Sequence, residues 1–200
     1  MESIGIIVFY ILYMLPMYAA LIAFAVVAYI LTGKSLSAIA RRRGIEKPWM
    51  AWVPVGCDWL LGCISDQYRY VTYGEETNRR KKLLWYNIGL LSILAVVMTI
   101  ATLMVILAVA GASENVALVL GLLLMIPYLA MFPLVVLYSI TYYKSCYDLF
   151  RSCDPDKSLV YLLVSIFASF PLPFFFYSCR NKDLGMPPRQ EQPPEADANF

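Results

Sequence analysis

The sequence predicts an all-α, polytopic helical membrane protein with about four transmembrane helices and one further interfacial or re-entrant segment. Hydrophobic residues make up 60% of its 200 residues and charged residues only 15%, whereas a soluble domain carries about 25% charged residues. Four long stretches contain no charge at all. This composition excludes a soluble globular domain, a disordered chain and a coiled coil. With a net charge of only +2, no overall field attracts nucleic acid, and we expect no nucleic-acid partner.

Three of the uncharged stretches are long enough to cross a bilayer: 4–31, 83–111 and 116–140. A hydrocarbon core about 30 Å thick takes roughly 20 helical residues. Backbone groups at that depth have no water to bond with, so each stretch is predicted to be a helix. We expect the first stretch to be retained and not removed as a signal peptide, because Glu2 stands where such a peptide carries Lys or Arg.

The apolar segment 48–65 is predicted to stay at the cytoplasmic interface as two short helical pieces interrupted at Pro54. If it crossed, Lys and Arg would divide evenly between the two sides of the membrane. If it does not cross, and four other segments do, thirteen of the sixteen lie on one side, which the positive-inside rule favours. Tryptophan rings prefer the depth of the headgroups, and this segment contains three of them: Trp49, Trp52 and Trp59.

The fourth stretch, 159–177, has two interpretations. Asp154 and Pro155 form a good helix start, but Pro171 and Pro173 break the helical pattern. The helix before them, 159–170, is about 18 Å long, which is half of the hydrocarbon core. We predict a kinked full span. The alternative is a re-entrant hairpin that returns to the cytoplasm and places all Lys and Arg on one side.

The basic residues also predict the orientation and the domain organisation. Lys34 and the arginines at 41–43 follow the first span, so we expect the N-terminus outside the plasma membrane of a multi-pass protein, with loops 32–82 and 141–158 in the cytoplasm. Residues 1–184 form one integral membrane domain. The Pro-rich polar tail 185–200 cannot bury a core and is predicted to be disordered.

The chain contains a possible internal repeat, in which 6–47 aligns with 116–157 without a gap. Each copy consists of a membrane helix, a basic segment and a broken apolar segment, and such internal repeats are common in transporters. Chance matching of apolar sequence is the alternative. Identical residues in the two copies include Tyr18 and Tyr128, Lys34 and Lys144, Ser35 and Ser145, and Arg41 and Arg151.

The residues available for chemistry argue against an enzyme. The chain has no histidine, so the usual general base, the commonest metal ligand and the histidine-activated nucleophiles are all missing. No phosphate-binding or metalloprotease motif occurs. The five cysteines show no C-x-x-C spacing and are expected to act as small apolar residues. We therefore expect no cofactor, no metal and no catalytic residue.

Charged and aromatic residues next to the spans are the candidate contacts for lipid or partner. Each Lys or Arg near an anionic leaflet contributes about 1 kcal/mol. Asp58 lies in an apolar stretch, where an ionised carboxylate needs a partner or water, whereas the other thirteen acids lie in polar stretches and are expected to be solvated. The candidate list is Arg41, Arg42, Arg43, Trp49, Trp52, Pro54, Asp58, Trp59, Arg79, Arg80, Lys81, Lys82, Arg180, Lys182 and Asp183.

Two strings carry a resemblance: RRGIEKPWMAWVPVG at 42–56 and CRNKDLGMPPR at 179–189. The chain resembles a group of uncharacterised bacterial multi-span membrane proteins of about this size that carry similar strings. The resemblance covers most of the chain and implies a bacterial plasma membrane, but it implies no activity. It favours the region around Pro54 and the stretch Arg180–Asp183 as functional.

Two functions fit these observations. The leading hypothesis is a non-enzymatic accessory or scaffold subunit that contacts anionic lipid headgroups and acts through a membrane protein partner or by self-association. The alternative is a small transporter or permease-like protein whose broken helices line a path, because broken helices expose backbone groups that bind substrates or ions.

Overall fold

Six α-helices and one 3₁₀ turn make up the part of the chain that the computed structural model describes, residues 2–111 and 113–187. The helices are α1 (Glu2–Arg42), α2 (Pro54–Tyr73), α3 (Arg79–Val109), α4 (Glu114–Cys153), α5 (Ser158–Phe167) and α6 (Leu172–Cys179), with the 3₁₀ turn Pro48–Trp52 between α1 and α2. These ranges contain no strand, so the all-α prediction is confirmed.

Three of the helices are long and apolar enough to cross a membrane: Leu12–Arg42 of α1, Arg79–Val109 and Leu118–Cys153 of α4. They match the first three predicted spans. Helices α1 and α4 continue past their uncharged stretches, to Arg42 and Cys153, without a break. Each therefore extends from the apolar region into a polar one as a single continuous helix.

The C-terminal ends of α1 and α4 and the start of α3 meet the 3₁₀ turn, α2, α5 and α6 in one folded unit, which we call the head. Every buried residue among the described side chains lies in the head, while the apolar windows of the three long helices have none. Burial of apolar side chains therefore holds the head together. Its largest fully buried side chains are Phe150, Phe176, Leu36, Ile39, Leu60, Leu61, Ile64, Leu83 and Leu149.

The fourth predicted span, 159–177, is not confirmed, because α5 ends at Phe167 and the chain after Ala168–Pro171 returns to the end of α4. The backbone N–H of Leu184 donates to Cys153 O at 3.2 Å, and that of Gly185 donates to Ser152 O at 3.1 Å. Helix α5 has ten residues, about 15 Å, which is half the thickness of a hydrocarbon core of about 30 Å. The re-entrant alternative describes this hairpin of α5 and α6.

The prediction for 48–65 is confirmed in one respect and corrected in another. The segment is broken at Pro54, which begins α2 after the 3₁₀ turn. Helix α2 then runs to Tyr73 and packs inside the head against α3 and α4, with Leu60, Leu61 and Ile64 fully buried. It does not lie flat on a surface.

The two halves of the proposed repeat bury the same positions. Helix α1 buries Leu36, Ile39 and Ala40, and α4 buries the residues that the repeat aligns with them, Cys146, Leu149 and Phe150. The hydrogen bond from Ser35 to Leu31 O recurs as Ser145 to Thr141 O. In addition, the last short helix of each half packs on the other half, with α2 on α4 and α6 on α1. These relationships support the repeat.

The tail predicted to be disordered over 185–200 lies outside the described residues from position 188 onward. Within the described part, Gly185 belongs to the head. A Cβ placed there would meet Arg151 O at 2.0 Å, so only glycine allows the returning chain to approach α4 this closely.

Candidate functional site: the charged face of the head

The returning chain is fixed to the end of α1 by two arginines that share one carboxylate, an arrangement we call the arginine clamp. Arg43 Nη2 lies 2.6 Å from Asp183 Oδ1, and Arg42 Nε pairs with Asp183 Oδ2. Arg42 also donates to the carbonyl oxygens of Arg180 at 2.8 Å and Lys182 at 2.9 Å. Guanidinium groups suit such multiple, directed contacts. The clamp therefore joins the two strings quoted above.

Arg43 is the buried member of the clamp, with only 4% of its side chain exposed. Its Nη2 also donates to Ser152 Oγ of α4 at 2.9 Å, and its backbone carbonyl accepts from Gln67 Nε2 of α2 at 3.1 Å. Arg43 Nη1 and Gln67 Oε1 are buried without a hydrogen-bond partner among the described residues. One arginine thus contacts α2, α4 and the returning chain.

A second ion pair closes the hairpin of α5 and α6. Lys182 Nζ donates to Asp154 Oδ2 at 2.8 Å. This hydrogen bond lowers the pKa of Asp154 and raises the pKa of Lys182. Next to it, the guanidinium of Arg180 lies 4.2 Å from the centre of the Tyr177 ring. All three charged residues proposed at the C-terminal string therefore contact the head.

Asp66 on α2 caps the start of α3. Its Oδ1 accepts from Thr77 Oγ1 at 2.5 Å and from the backbone N–H of Arg79 at 3.0 Å, and its Oδ2 accepts from the N–H of Arg80 at 3.1 Å. The first N–H groups of a helix have no partner within the helix, and a carboxylate there also complements the helix dipole. Asp66 is 5% exposed, so this cap is an interior contact.

Asp148 on α4 lies next to two arginines of neighbouring helices. Its Oδ2 accepts from Arg79 Nη1 at 2.6 Å and from Ser65 Oγ at 2.9 Å, and Arg69 Nη1 lies 3.8 Å away. Arg69 pairs more closely with Glu75, at 2.5 Å, and this hydrogen bond raises the pKa of Arg69. Asp148 and these arginines connect α2, α3 and α4.

Asp58 faces α3 and α4, not a cation. Its Oδ2 accepts from Tyr138 OH of α4 at 2.9 Å and from Asn87 Nδ2 of α3. Burial raises the pKa of Asp58, and these two hydrogen bonds partly oppose the rise. The sequence suggested that the Asp58 carboxylate either has a charged partner or is solvated by water. The structure shows neither arrangement. The carboxyl instead joins three helices through neutral donors.

The remaining candidates are mostly exposed. Trp49 and Trp52 are 60% and 42% exposed, while Trp59 is half-buried and packs against the core of the head. The side chains of Arg41, Lys81 and Lys82 are exposed as well, and Arg80 is half-buried. The exposed members remain available for contacts outside the chain.

The sequence interpretation missed three buried acids, Asp66, Asp148 and Asp154, which it expected to be solvated. Each is 5% exposed or less. For Asp148 a signal was present: Ser145, Asp148 and Ser152 recur at helical spacing on one face of α4, and all three are buried. For the other two acids, the pairing residue lies far away along the chain or in a different element.

The described residues contain no group of three or more His, Cys, Asp or Glu that could hold a metal ion. Charged residues of the head line two cavities, one of about 440 Å³ beside α4 and one of about 590 Å³ beside α1. No family model, no curated protein and no solved structure matches this chain.

Proposed function

We propose that this protein is a non-enzymatic accessory or scaffold subunit of a bacterial plasma membrane that acts through a partner protein in the membrane or through a second copy of itself. The observation that supports this role is the position of α1. In the described part of the chain, α1 contacts the 3₁₀ turn, α2 and α6, whereas α3 and α4 pack on each other and not on α1.

Helix α1 therefore extends from the head as an apolar helix that does not pack on α3 or α4. Its described membrane portion exposes large side chains such as Leu12, Leu15 and Ile22. Ala19 and Ala23 lie four residues apart, the spacing of small residues that lets two membrane helices approach closely. A second membrane helix fits against this face, and the ion-paired head holds α1 in a fixed position to receive it.

The proposed orientation places the head in the cytoplasm and the N-terminus outside. Every described Lys and Arg lies in the head or in its connecting segments. The hairpin of α5 and α6 brings Arg180 next to Arg42 at the end of α1 and Lys182 next to Asp154 at the end of α4. This distribution is what the positive-inside rule expects of a cytoplasmic face.

The test of the partner role is isolation of the tagged protein from its native membrane in a mild detergent. We expect a stoichiometric membrane protein, or a second copy of the chain, to remain bound to the wild type. The paired change Ala19→Leu and Ala23→Leu should release it, because the larger side chains keep the helices apart. Ala108→Leu on the exposed side of α3 is the matched control. If nothing stoichiometric is bound, or both variants behave alike, the proposal is wrong.

The re-entrant hairpin supports the transporter alternative as a second candidate. The break between α5 and α6 exposes backbone at membrane depth, and the Phe170 ring lies 6.1 Å from that of Phe24 on α1. In a transporter, such a break lines a water-filled path through the membrane. Ser169 is exposed at this break, so Ser169→Cys in a cysteine-free protein should react with a membrane-impermeant thiol reagent from the cytoplasmic side. Protection of this cysteine would reject the alternative.

A further inference from the structure

The cavity beside α4, about 440 Å³ in volume, combines cations, aromatic rings and an apolar wall. Helices α2, α3, α4 and α5 all contribute to it, so it is built by the fold of the head and not by one loop. Its lining residues that matter here are Arg69, Arg79, Ile140, Tyr147, Lys144 and Leu162.

Most of the charge in this cavity is already balanced. Arg79 pairs with Asp148 at 2.6 Å and Arg69 with Glu75 at 2.5 Å. Lys144 forms no ion pair with any described residue, and its side chain is exposed. The cavity therefore retains one positive charge that the protein does not neutralise, next to two arginines that have further N–H donors.

The position of the cavity along the helices places it where lipid headgroups lie. Beyond the apolar stretch 116–140, α4 continues without charge through Tyr143, and Lys144 is the first charged residue. Ile140 lies on the apolar side of this boundary and Tyr147 one turn beyond Lys144, a depth that tyrosine rings prefer. A ligand in the cavity therefore meets apolar side chains at one end and cations at the other.

The second cavity, beside α1, occupies the corresponding position of the other half. Its lining includes Lys34, Ser37 and Trp52. When the alignment of the repeat is continued beyond residue 47, these three residues correspond to Lys144, Tyr147 and Leu162. All three of those residues line the first cavity. In both halves a lysine beyond the apolar stretch faces a residue of the segment that follows the long helix. A cavity lined by a lysine at the corresponding position thus occurs in each half, although Arg41 and Arg42 of α1 add further cations to the cavity beside α1.

We propose that each cavity binds the phosphate of an anionic phospholipid. Lys144 supplies the unbalanced charge in the cavity beside α4, and Lys34 together with the exposed Arg41 supplies it in the cavity beside α1. Arg69 and Arg79 donate further hydrogen bonds to the phosphate in the cavity beside α4, and the acyl chains extend along Ile140 and Leu162. This lipid site is independent of the partner role of α1 and holds in either orientation of the protein.

The test counts bound lipids by native mass spectrometry of the full chain purified in a non-ionic detergent. We expect the wild type to retain two phosphatidylglycerol molecules in preference to phosphatidylcholine. Lys144→Gln and Lys34→Gln should each raise the lipid concentration for half occupancy of the altered cavity about fivefold, the effect of one cation beside an anionic headgroup, while the other cavity keeps its lipid at the wild-type concentration. Lys157→Gln, an exposed lysine that lines neither cavity, should retain both.

Three results would overturn the proposal. The first is equal retention of the two lipids, and the second is equal loss of lipid in all three variants, which would mean a general attraction to the charged face. The third is displacement of the lipid by inorganic phosphate at the same concentration, which would assign the cavities to a soluble anion. Lys144→Arg keeps the charge and should keep both lipids, so loss of a lipid there would show a structural role and also reject the proposal.

Discussion

Arg43, directly after α1, and Asp183 of the returning chain form an ion pair across a separation of 140 residues, with Arg43 Nη2 2.6 Å from Asp183 Oδ1. The pair fixes the chain that follows the hairpin of α5 and α6 to the end of the first long apolar helix. Because Arg43 is buried and Asp183 is mostly buried, the stability of the head depends strongly on it.

The first prediction concerns this pair. Asp183→Asn leaves Arg43 as a buried charge without a counter-ion, a change that typically destabilises a protein by about 3 kcal/mol. We expect a clear fall in the midpoint of thermal unfolding of the purified protein in detergent. Asp156→Asn, at an exposed position, is the control and should leave the midpoint unchanged. Equal midpoints for the two variants would show that the clamp does not stabilise the head.

The second prediction follows from the raised pKa of Asp58. A carboxyl whose pKa is higher in the folded than in the unfolded state binds more protons when folded, so its contribution to stability is present at low pH and is lost as pH rises above its unfolded pKa of about 4. The stability of the wild type relative to Asp58→Asn should therefore fall as pH rises, by at most about 1.4 kcal/mol per pH unit.

Unfolding midpoints of both proteins between about pH 4 and 7 test this prediction. Glu76→Gln is the appropriate control, because Glu76 is exposed, whereas Glu75 pairs with Arg69. A difference between wild type and Asp58→Asn that does not change with pH would contradict the raised pKa.

The third prediction concerns topology and uses single cysteines in a cysteine-free protein. Ser113→Cys, between α3 and α4, should react with a membrane-impermeant thiol reagent in intact cells, whereas Glu76→Cys should not. Pro187→Cys should be protected like Glu76→Cys, because the hairpin of α5 and α6 returns to the head. Labelling of Pro187→Cys but not of Glu76→Cys would mean that the segment crosses after all.

The fourth prediction tests the close approach of α2 to α3. A Cβ at Gly62 would lie 2.5 Å from Arg80 Cα and 2.7 Å from Arg80 N, and both groups are backbone and cannot move aside easily. Gly62→Ala should therefore destabilise the head by about 1–3 kcal/mol. Gly121→Ala on α4 meets nothing within 4 Å and should be neutral or slightly stabilising, so similar midpoints for the two variants would reject the tight contact.

Some of the charged face was predictable because its signals are local. Lysines and arginines beside an apolar stretch identify the end of a span, and the arginines at 41–43 and the cluster at 79–82 were recognised in this way. Their partners were not. Asp66 and Asp148 sit in ordinary helical sequence, and only the packing of α2 against α3 and α4 brings them to Arg79 and Arg80.

The sequence by itself determined the three long helices and the break at Pro54, because both depend on local signals. A long run of uncharged residues predicts a membrane helix, and a proline without an N–H interrupts a helix at its own position. The tertiary structure alone decided the course of 159–177. Its apolar length fitted both a span and a hairpin, and the choice depends on contacts of residues 182–185 with the end of α1 and with α4. Pairings between residues so distant along the chain leave no local pattern, since each partner by itself looks like a solvated surface charge.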